Sequence, residues 1–468
     1  MPGKAPQKKE SARERLTKSA AERSLFPLLG IVGTAAGLLW AIAAYRIDDW
    51  MGAAIGAAGT LIGLVIIKRR RWRQTTRLAR FGVSFVSLVI SLGLMPLALF
   101  CLVDIFPGLV NTFRLNHIRY FAFRERFTSD PKLAIRKRPN YRLNVRAFRG
   151  DLSGYGRDIP ASPLTFVGKY DKLGFRNSNA AYYSDSDVVV LGDSMMEIGH
   201  DNDDTFASRL GRAAKMRVLN FGQGWHGPEQ YLAILKEYGM PSNPRIIILA
   251  FSETNDIRDI QEYHHWKHRG RYYHFMNPPA NLYGRLTVAV ESARSPRRRH
   301  KASRPYLAQL RLRSEIRPVL FRRPAESVDW RTLLHRPPWR RLRSILREAG
   351  RISQKGKAKL FAMFIPNKLH VYARLSRSSR WGPSKNKAIA NRENRWLHIR
   401  SQQIGAVENR ERAFARICAQ AKVEMMSLSP LFASLADQGE LLYYPLDSHW
   451  NSIARQAAAM KMAQVITQ

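Results

Sequence analysis

The feature that most constrains this 468-residue chain is a set of short apolar runs, each closed by turn residues. Asp187 to Leu191, Arg245 to Phe251 (RIIILAF) and Lys359 to Ile365 are the strongest. Met216 to Leu219 and Val423 to Met426 are shorter. Runs of this length, β-branched or aromatic and bounded by turns, read as buried strands. Between and after them lie segments with helical periodicity: Asp204 to Ala214, Pro228 to Tyr238, Ala406 to Ala421 and Ser452 to Ile466. Strand and helix in alternation predict a parallel sheet covered by helices on both faces.

The first run ends abruptly in Gly192-Asp193-Ser194. Gly192 supplies a tight turn, and Ser194 falls at the carboxyl end of the strand. That is the sheet edge where ligands bind in open α/β folds. Two readings of Ser194 are open at this point: a helix N-cap, which serine favours, or a nucleophile.

The first hundred residues have another character. Leu25 to Tyr45, Trp50 to Ile67 and Phe81 to Val103 are apolar and uncharged, the second being short for a span. About 20 such residues cross a bilayer. Gly52, Gly56, Gly59 and Gly63 in the second stretch allow close helix packing. The basic residues Lys4 to Arg23 and Lys68 to Arg80 flank the same side, whereas the Arg46 to Trp50 connection is acidic on balance. The basic side stays inside. The expectation is three transmembrane helices within 25–106, a cytoplasmic terminus 1–24, and everything after about Phe106 outside a bacterial inner membrane, in the periplasm. A length of 468 residues exceeds one ordinary domain. Lysine and arginine number 77 against 36 acidic residues, a net charge of +41, which points to anionic surroundings such as membrane lipid or acidic polysaccharide. Nucleic acid is not an expected partner outside the cytoplasm. Cys101 and Cys418, the two cysteines, cannot form a disulfide framework or a thiolate zinc site.

Residues 107–164 are polar and basic without a strong period and read as a connector. A long arginine-rich interruption spans about 261–356. Within it, Arg336 to Arg347 forms an amphipathic helix with Trp339, Leu342, Ile345 and Leu346 on one face, a candidate surface for anionic lipid. His264 and His268 share a face if their segment is helical, as metal ligands could. The surrounding lysines and arginines oppose a cation, so no metal is assigned. Lys368 and His370 are expected to line the cleft opposite Ser194.

Three further stretches bear on Ser194: NFGQGWHGPEQ (Asn220 to Gln230), FSETND (Phe251 to Asp256) and YPLDSHWN (Tyr444 to Asn451). The first two follow strands and so share the sheet edge of Ser194. Attack on an ester needs a hydroxyl, a base, a group orienting the base, and donors for the oxyanion. The chain offers Ser194, His449 and Asp447, with donors from Gly224 and Asn255.

Together these four blocks resemble those of the SGNH hydrolases, the GDSL lipase/esterase superfamily, over roughly 165–468. The resemblance implies a three-layer α/β/α sandwich (flavodoxin-like) with a parallel sheet of about five strands. It implies Ser194 as nucleophile, His449 as base and Asp447 as its orienting partner. The oxyanion donors are then the Ser194 and Gly224 N–H groups and the Asn255 side chain. The chain departs from the family pattern in three places. Glu253 replaces the glycine of Gly-x-Asn-Asp. Trp225 stands five residues after Asn220, where the oxyanion glycine is common. Asp-x-His-Trp replaces Asp-x-x-His, a spacing similar to membrane-linked alginate O-acetyltransferases. The implied activity is an esterase or an O-acyltransferase, commonly acetyl, acting on exported carbohydrate or other acyl esters through an acyl-enzyme, with no cofactor. Acyl transfer implies a membrane acyl-donor partner. The non-enzymatic alternative is an inactive, membrane-anchored polysaccharide-binding scaffold.

Overall fold

A computed structural model of the chain describes residues 125–153, 162–178, 180–269, 306–313, 315–322, 328–377 and 405–468, with Thr34 and Leu38. The three apolar stretches, those two positions aside, lie outside the described residues, as does Cys101. No helix among the described residues is long and apolar enough to cross a membrane. Arg126–Tyr272 and Arg297–Gln468 form one compact unit, and all the predicted strands fall within it.

Four strands come first: β1 (Phe127–Asp130), β2 (Ala134–Lys137), β3 (Arg142–Phe148) and β4 (Leu164–Lys169). β1 pairs antiparallel with β2, and β3 with β4. Then the sandwich begins with β5 (Val188–Gly192), α1 (Ser194–Glu197), α2 (Phe206–Ala214), β6 (Val218–Gly222), α3 (Pro228–Ile234), β7 (Ile246–Ser252) and α4 (Asp256–Arg269). A hairpin, β8 (Tyr306–Leu312) and β9 (Glu315–Phe321), precedes α5 (Trp330–His335), α6 (Pro337–Lys355), β10 (Lys359–Ile365) and α7 (Lys368–Tyr372). The two-residue strand β11 (Ser376–Arg377) pairs with β8. Helix α8 (405–421), β12 (Glu424–Ser427), α9 (Ser429–Asp437) and α10 (Ser452–Thr467) close the chain.

The central sheet has five strands in the order β12-β10-β7-β5-β6, all parallel. Counted along the sandwich this is the 2-1-3-4-5 order of doubly wound sheets, whose direction switches between the first and third strands. β5 and β7 flank that switch, so the loops after them, which carry Ser194 and Asn255, open together at the carboxyl edge.

Side chains alternate across a strand. Val188 and Val190 therefore enter one apolar core with α2, α9 and α10 and the β8–β9 hairpin. Val189 and Leu191 enter a second core with α3, α4, α6 and α8. Both faces of β5 are dry, which is why its sequence shows no polar alternation.

The structure corrects two sequence readings. Residues 127–148, expected as a connector, hold three strands, β1, β2 and β3, of the same compact unit. The apolar stripe of α6 is not a lipid-facing surface: Trp339, Leu342, Ile345 and Leu346 are buried in the second core. α6 is the crossover helix between the parallel strands β7 and β10, so the interruption of the sandwich ends before it.

The last helix is pinned by a buried cation. Arg455 is 0% exposed; it donates to the Asp204 and Trp450 carbonyls, each at 2.9 Å, and pairs with the Asp204 carboxylate. Removing one partner of a buried pair strands the other charge. Arg455→Ala is expected to lower unfolding free energy by about 3–5 kcal/mol in urea titrations. Breaking the exposed Lys359–Glu424 pair should change it by less than about 1 kcal/mol.

Candidate active site

The turn that carries Ser194 is built by close packing. Asp193, not Ser194, caps α1, and its carboxylate accepts the Met195 N–H at 2.8 Å. Ser194 is thus the first helical residue, which removes the capping reading of that serine. A helix's first-turn amides lack intrahelical acceptors, and no acceptor among the described residues takes the Ser194 N–H. Gly222 makes the approach of the turn possible, since a Cβ there would stand 2.3 Å from that of Met196. Asn220 binds the turn from β6: its Nδ2 donates to the Met196 carbonyl at 3.1 Å.

His449 meets this turn across the sheet edge. The Ser194 hydroxyl lies 2.7 Å from His449 Nε2. His449 Nδ1 lies 2.5 Å from Asp447 Oδ1, which also accepts the His449 N–H at 2.8 Å. Neither residue caps the closing helix, a role taken by Asn451. Trp450 fixes the register of the two loops, because its buried indole N–H donates to the Met195 carbonyl at 2.9 Å.

The segment read as a connector holds the Asp447 loop from behind. Asp447 Oδ2 accepts the Asp151 N–H at 2.8 Å, and the Asp151 carboxylate accepts the Ser448 N–H at 2.9 Å and hydroxyl at 2.7 Å. Gly150 has φ +111°, and a Cβ there would stand 2.2 Å from the Leu446 carbonyl oxygen. Arg322, just after β9, pairs with Asp151. None of these residues carries a sequence signal of its own, and only the fold brings them to Asp447.

Lys368 and His370 do not line the cleft at Ser194. The Lys368 ammonium is buried and donates to the carbonyls of Leu320 at 3.0 Å, Tyr444 at 2.6 Å and Pro445 at 3.2 Å. Burial lowers its pKa to about 8 against the opposing pull of Asp447 and Asp151. His370 pairs with Glu253, Nδ1 to Oε2 at 2.9 Å. Glu253, which departs from the family glycine, also accepts the Asn367 N–H at 2.9 Å and so braces the loop after β10. His264 and His268 share the face of α4 with ring centroids 4.3 Å apart. No cluster of three metal-ligating side chains occurs among the described residues.

The two other oxyanion candidates are engaged within the protein. The Gly224 N–H donates to the buried Glu197 carboxylate, although a Cβ on Gly224 would stand 3.4 Å from that of Ser194. Glu197 also takes Lys137 Nζ at 3.0 Å and the Tyr170 hydroxyl. Burial would raise its pKa, yet Lys137, Tyr170 and the Gly224 N–H hold it down at about 2. Asn255 Nδ2 donates to Asp259 at 2.6 Å, and the amide lies against the Asp193 carboxylate. Gly227 is committed to α3, its N–H donating to Gln230 at 3.0 Å. Trp225, at the family's glycine position, holds φ 74°, the left-handed conformation that glycine adopts most readily.

A cleft of about 450 Å³ opens from Ser194 and His449. Its walls include Leu143, Val145, Phe148 and Phe166 of the β3–β4 pair, and its rim carries Arg126. A pocket of this size is within the range that holds small ligands.

No protein-family model and no curated protein matches the chain. Solved structures with which it aligns include an acetyl xylan esterase, at 9% identity over 60% of this chain and 98% of that one, TM-score 0.29. A catalytic mutant of an acetylxylan esterase from Geobacillus stearothermophilus aligns at 8% identity over 60% and 94%, TM-score 0.28. An alpha/beta hydrolase enzyme from the metagenome of Lake Arreo, Spain, aligns at 10% identity over 61% and 99%, TM-score 0.29.

Burial by itself would lower the His449 pKa, but the Asp447 carboxylate outweighs it and holds the imidazole above its ordinary range. A base acts only when neutral. For an ester cleavage in which His449 served as the base, the acid limb of kcat/KM is therefore expected above pH about 6.5, the unperturbed histidine value. Asp447→Asn removes the cause. It should move the limb down toward that value and lower kcat on the order of 10⁴-fold. An unmoved limb in pH-rate profiles would show that another group titrates.

Proposed function

We propose that the chain is a serine-dependent acyl-ester hydrolase. The observation that carries this reading is the continuous line from Ser194 Oγ through the His449 imidazole to Asp447, at 2.7 Å and 2.5 Å. Ser194 Oγ attacks the ester carbonyl carbon as its proton passes to His449 Nε2. The carbonyl oxygen becomes an oxyanion, and the Ser194 N–H donates to it. Gly224 and Asn255 join when Glu197 and Asp259 share or release their amides. The C–O bond of the ester then breaks, and His449 returns the proton to the leaving alcohol. Water, deprotonated by His449, attacks the acyl-enzyme and frees the acid and Ser194. A sugar hydroxyl in place of water would give O-acyl transfer by the same second step, the acyl group then reaching the protein from a membrane partner.

The site is further proposed to stand outside a bacterial inner membrane, anchored by the three apolar stretches, with exported carbohydrate or other acyl esters as substrates. This rests on the lysine and arginine asymmetry around those stretches. Protease added outside spheroplasts should digest the catalytic domain. Protection until the membrane is broken would reverse the orientation.

The central test uses the purified full-length chain with activated esters and oligosaccharide acceptors. Ser194→Ala should reduce acid release on the order of 10⁴-fold or more. Serine-dependent mass gain on an acceptor would make the protein a transferase. Full cellular function of Ser194→Ala would favour the polysaccharide-binding scaffold.

A further inference from the structure

The cleft beside Ser194 says more about the acyl group than the triad does. β3 and β4 form its outer wall, with Val145 opposite Phe166, Leu143 opposite Gly168 and Phe148 opposite Leu164. Along β3 the exposed residues Arg142, Asn144 and Arg146 alternate with the half-buried Leu143 and Val145. The polar face is turned to solvent and the apolar face toward the nucleophile. Ile198, just past α1, adds an apolar group beside Ser194.

Most polar side chains on the cleft floor are already satisfied by one another. The Tyr170 hydroxyl and Lys137 are spent on Glu197. Arg176 donates to the carbonyls of Glu197 at 2.9 Å, Gly199 at 3.3 Å and Val167 at 3.2 Å, and to Asn202 at 3.2 Å. To bind sugar hydroxyls these groups would have to give up buried partners, which is costly. An apolar chain asks nothing of them. Volume points the same way. A cleft of about 450 Å³ equals roughly fifteen groups of about 30 Å³, the share of one water in the liquid. The methyl of an acetyl group fills a small part of that.

We propose that this cleft is an acyl-chain site and that the enzyme prefers straight-chain acyl groups of about four to eight carbons over acetyl. The inference rests on the serine-hydrolase reading and names its substrate class. The wall responsible comes from the strands that precede the sandwich, outside the family blocks. Each methylene moved from water into the cleft should raise kcat/KM about three- to four-fold until the cleft is full.

The experiment has two arms on the full-length chain. In the first, kcat/KM is measured for p-nitrophenyl esters from acetyl to octanoyl, with wild type and Val145→Trp. The expected result is a rise of ten-fold or more from acetyl to hexanoyl. Val145→Trp should lower the hexanoyl-to-acetyl ratio at least ten-fold. In the second, straight-chain carboxylates from acetate to octanoate are titrated calorimetrically into Ser194→Ala, which binds without turnover. Affinity that climbs with chain length, and falls for octanoate when Val145→Trp is added, supports the site even if no ester is cleaved; the hydrolase reading alone would then fail. Serine-dependent turnover that is greatest for acetyl overturns the acyl-chain site and leaves the hydrolase intact. Carboxylate binding without chain-length dependence overturns it as well.

Discussion

The loop from Tyr444 to Trp450 is the part on which the site depends, because it must hold an imidazole within hydrogen-bond reach of a serine 255 residues away in sequence. Loop backbone does not hold itself in place. Here it is held from four sides. The Lys368 ammonium gathers the Tyr444 and Pro445 carbonyls. Asp151 takes the Ser448 donors while its own N–H goes to Asp447. Gly150 gives the Leu446 carbonyl the space that a side chain would fill. Trp450 reaches across to Met195. These supports come from three segments outside the loop, around Gly150–Asp151, Met195 and Lys368, so the geometry of the site is a property of the whole unit.

Charge follows the same logic. The carboxyl edge of the sheet collects Asp193, Asp256 and Asp259, all buried. Burial and mutual repulsion push the Asp256 carboxyl well above its ordinary range. Asp447 goes the other way: burial would raise it, but the His449 imidazole and the amides around it hold the carboxylate charged. Of these four carboxyls, Asp447 is thus the one held below its ordinary range, and it lies against the His449 imidazole. Glu197 is a second buried anion, held by Lys137 and Tyr170 on the other side of Ser194. Its bond to the Gly224 N–H ties that amide, which stands beside Ser194, to the state of this carboxylate.

Much of this was legible in the residues. The buried strands announced themselves because a strand dry on both faces has no polar alternation, and observed bounds lie within three residues of those read from the runs. Ser194, Asp447 and His449 stood out because each belongs to a short block placed at a predicted strand end or before a predicted helix. The structure brings them together at the expected edge. Asn255 and Gly224 were placed near the serine correctly, but the partners of their donors were not foreseen, since Asp259 and Glu197 are ordinary residues in sequence. The stripe on α6 was legible as a stripe. What it faces was not, because an amphipathic helix looks the same whether a core or a lipid surface covers it.

Local patterns, then, determined the elements: the period of the apolar residues, the turn at Gly192 and the short blocks around Ser194 and His449. These act over a few residues, and the chain carries them wherever it goes. Tertiary structure decided which elements share an edge, which strands wall the cleft, and which charges meet. The strands at 127–169 show the difference most clearly. Their sequence is polar and irregular because one face of β3 and β4 is apolar while Arg142, Asn144, Arg146, Thr165 and Lys169 stand exposed on the other. Nothing local tells that the apolar face will close over Ser194. That depends on long-range contacts, whose energy belongs to pairs of residues far apart in the chain.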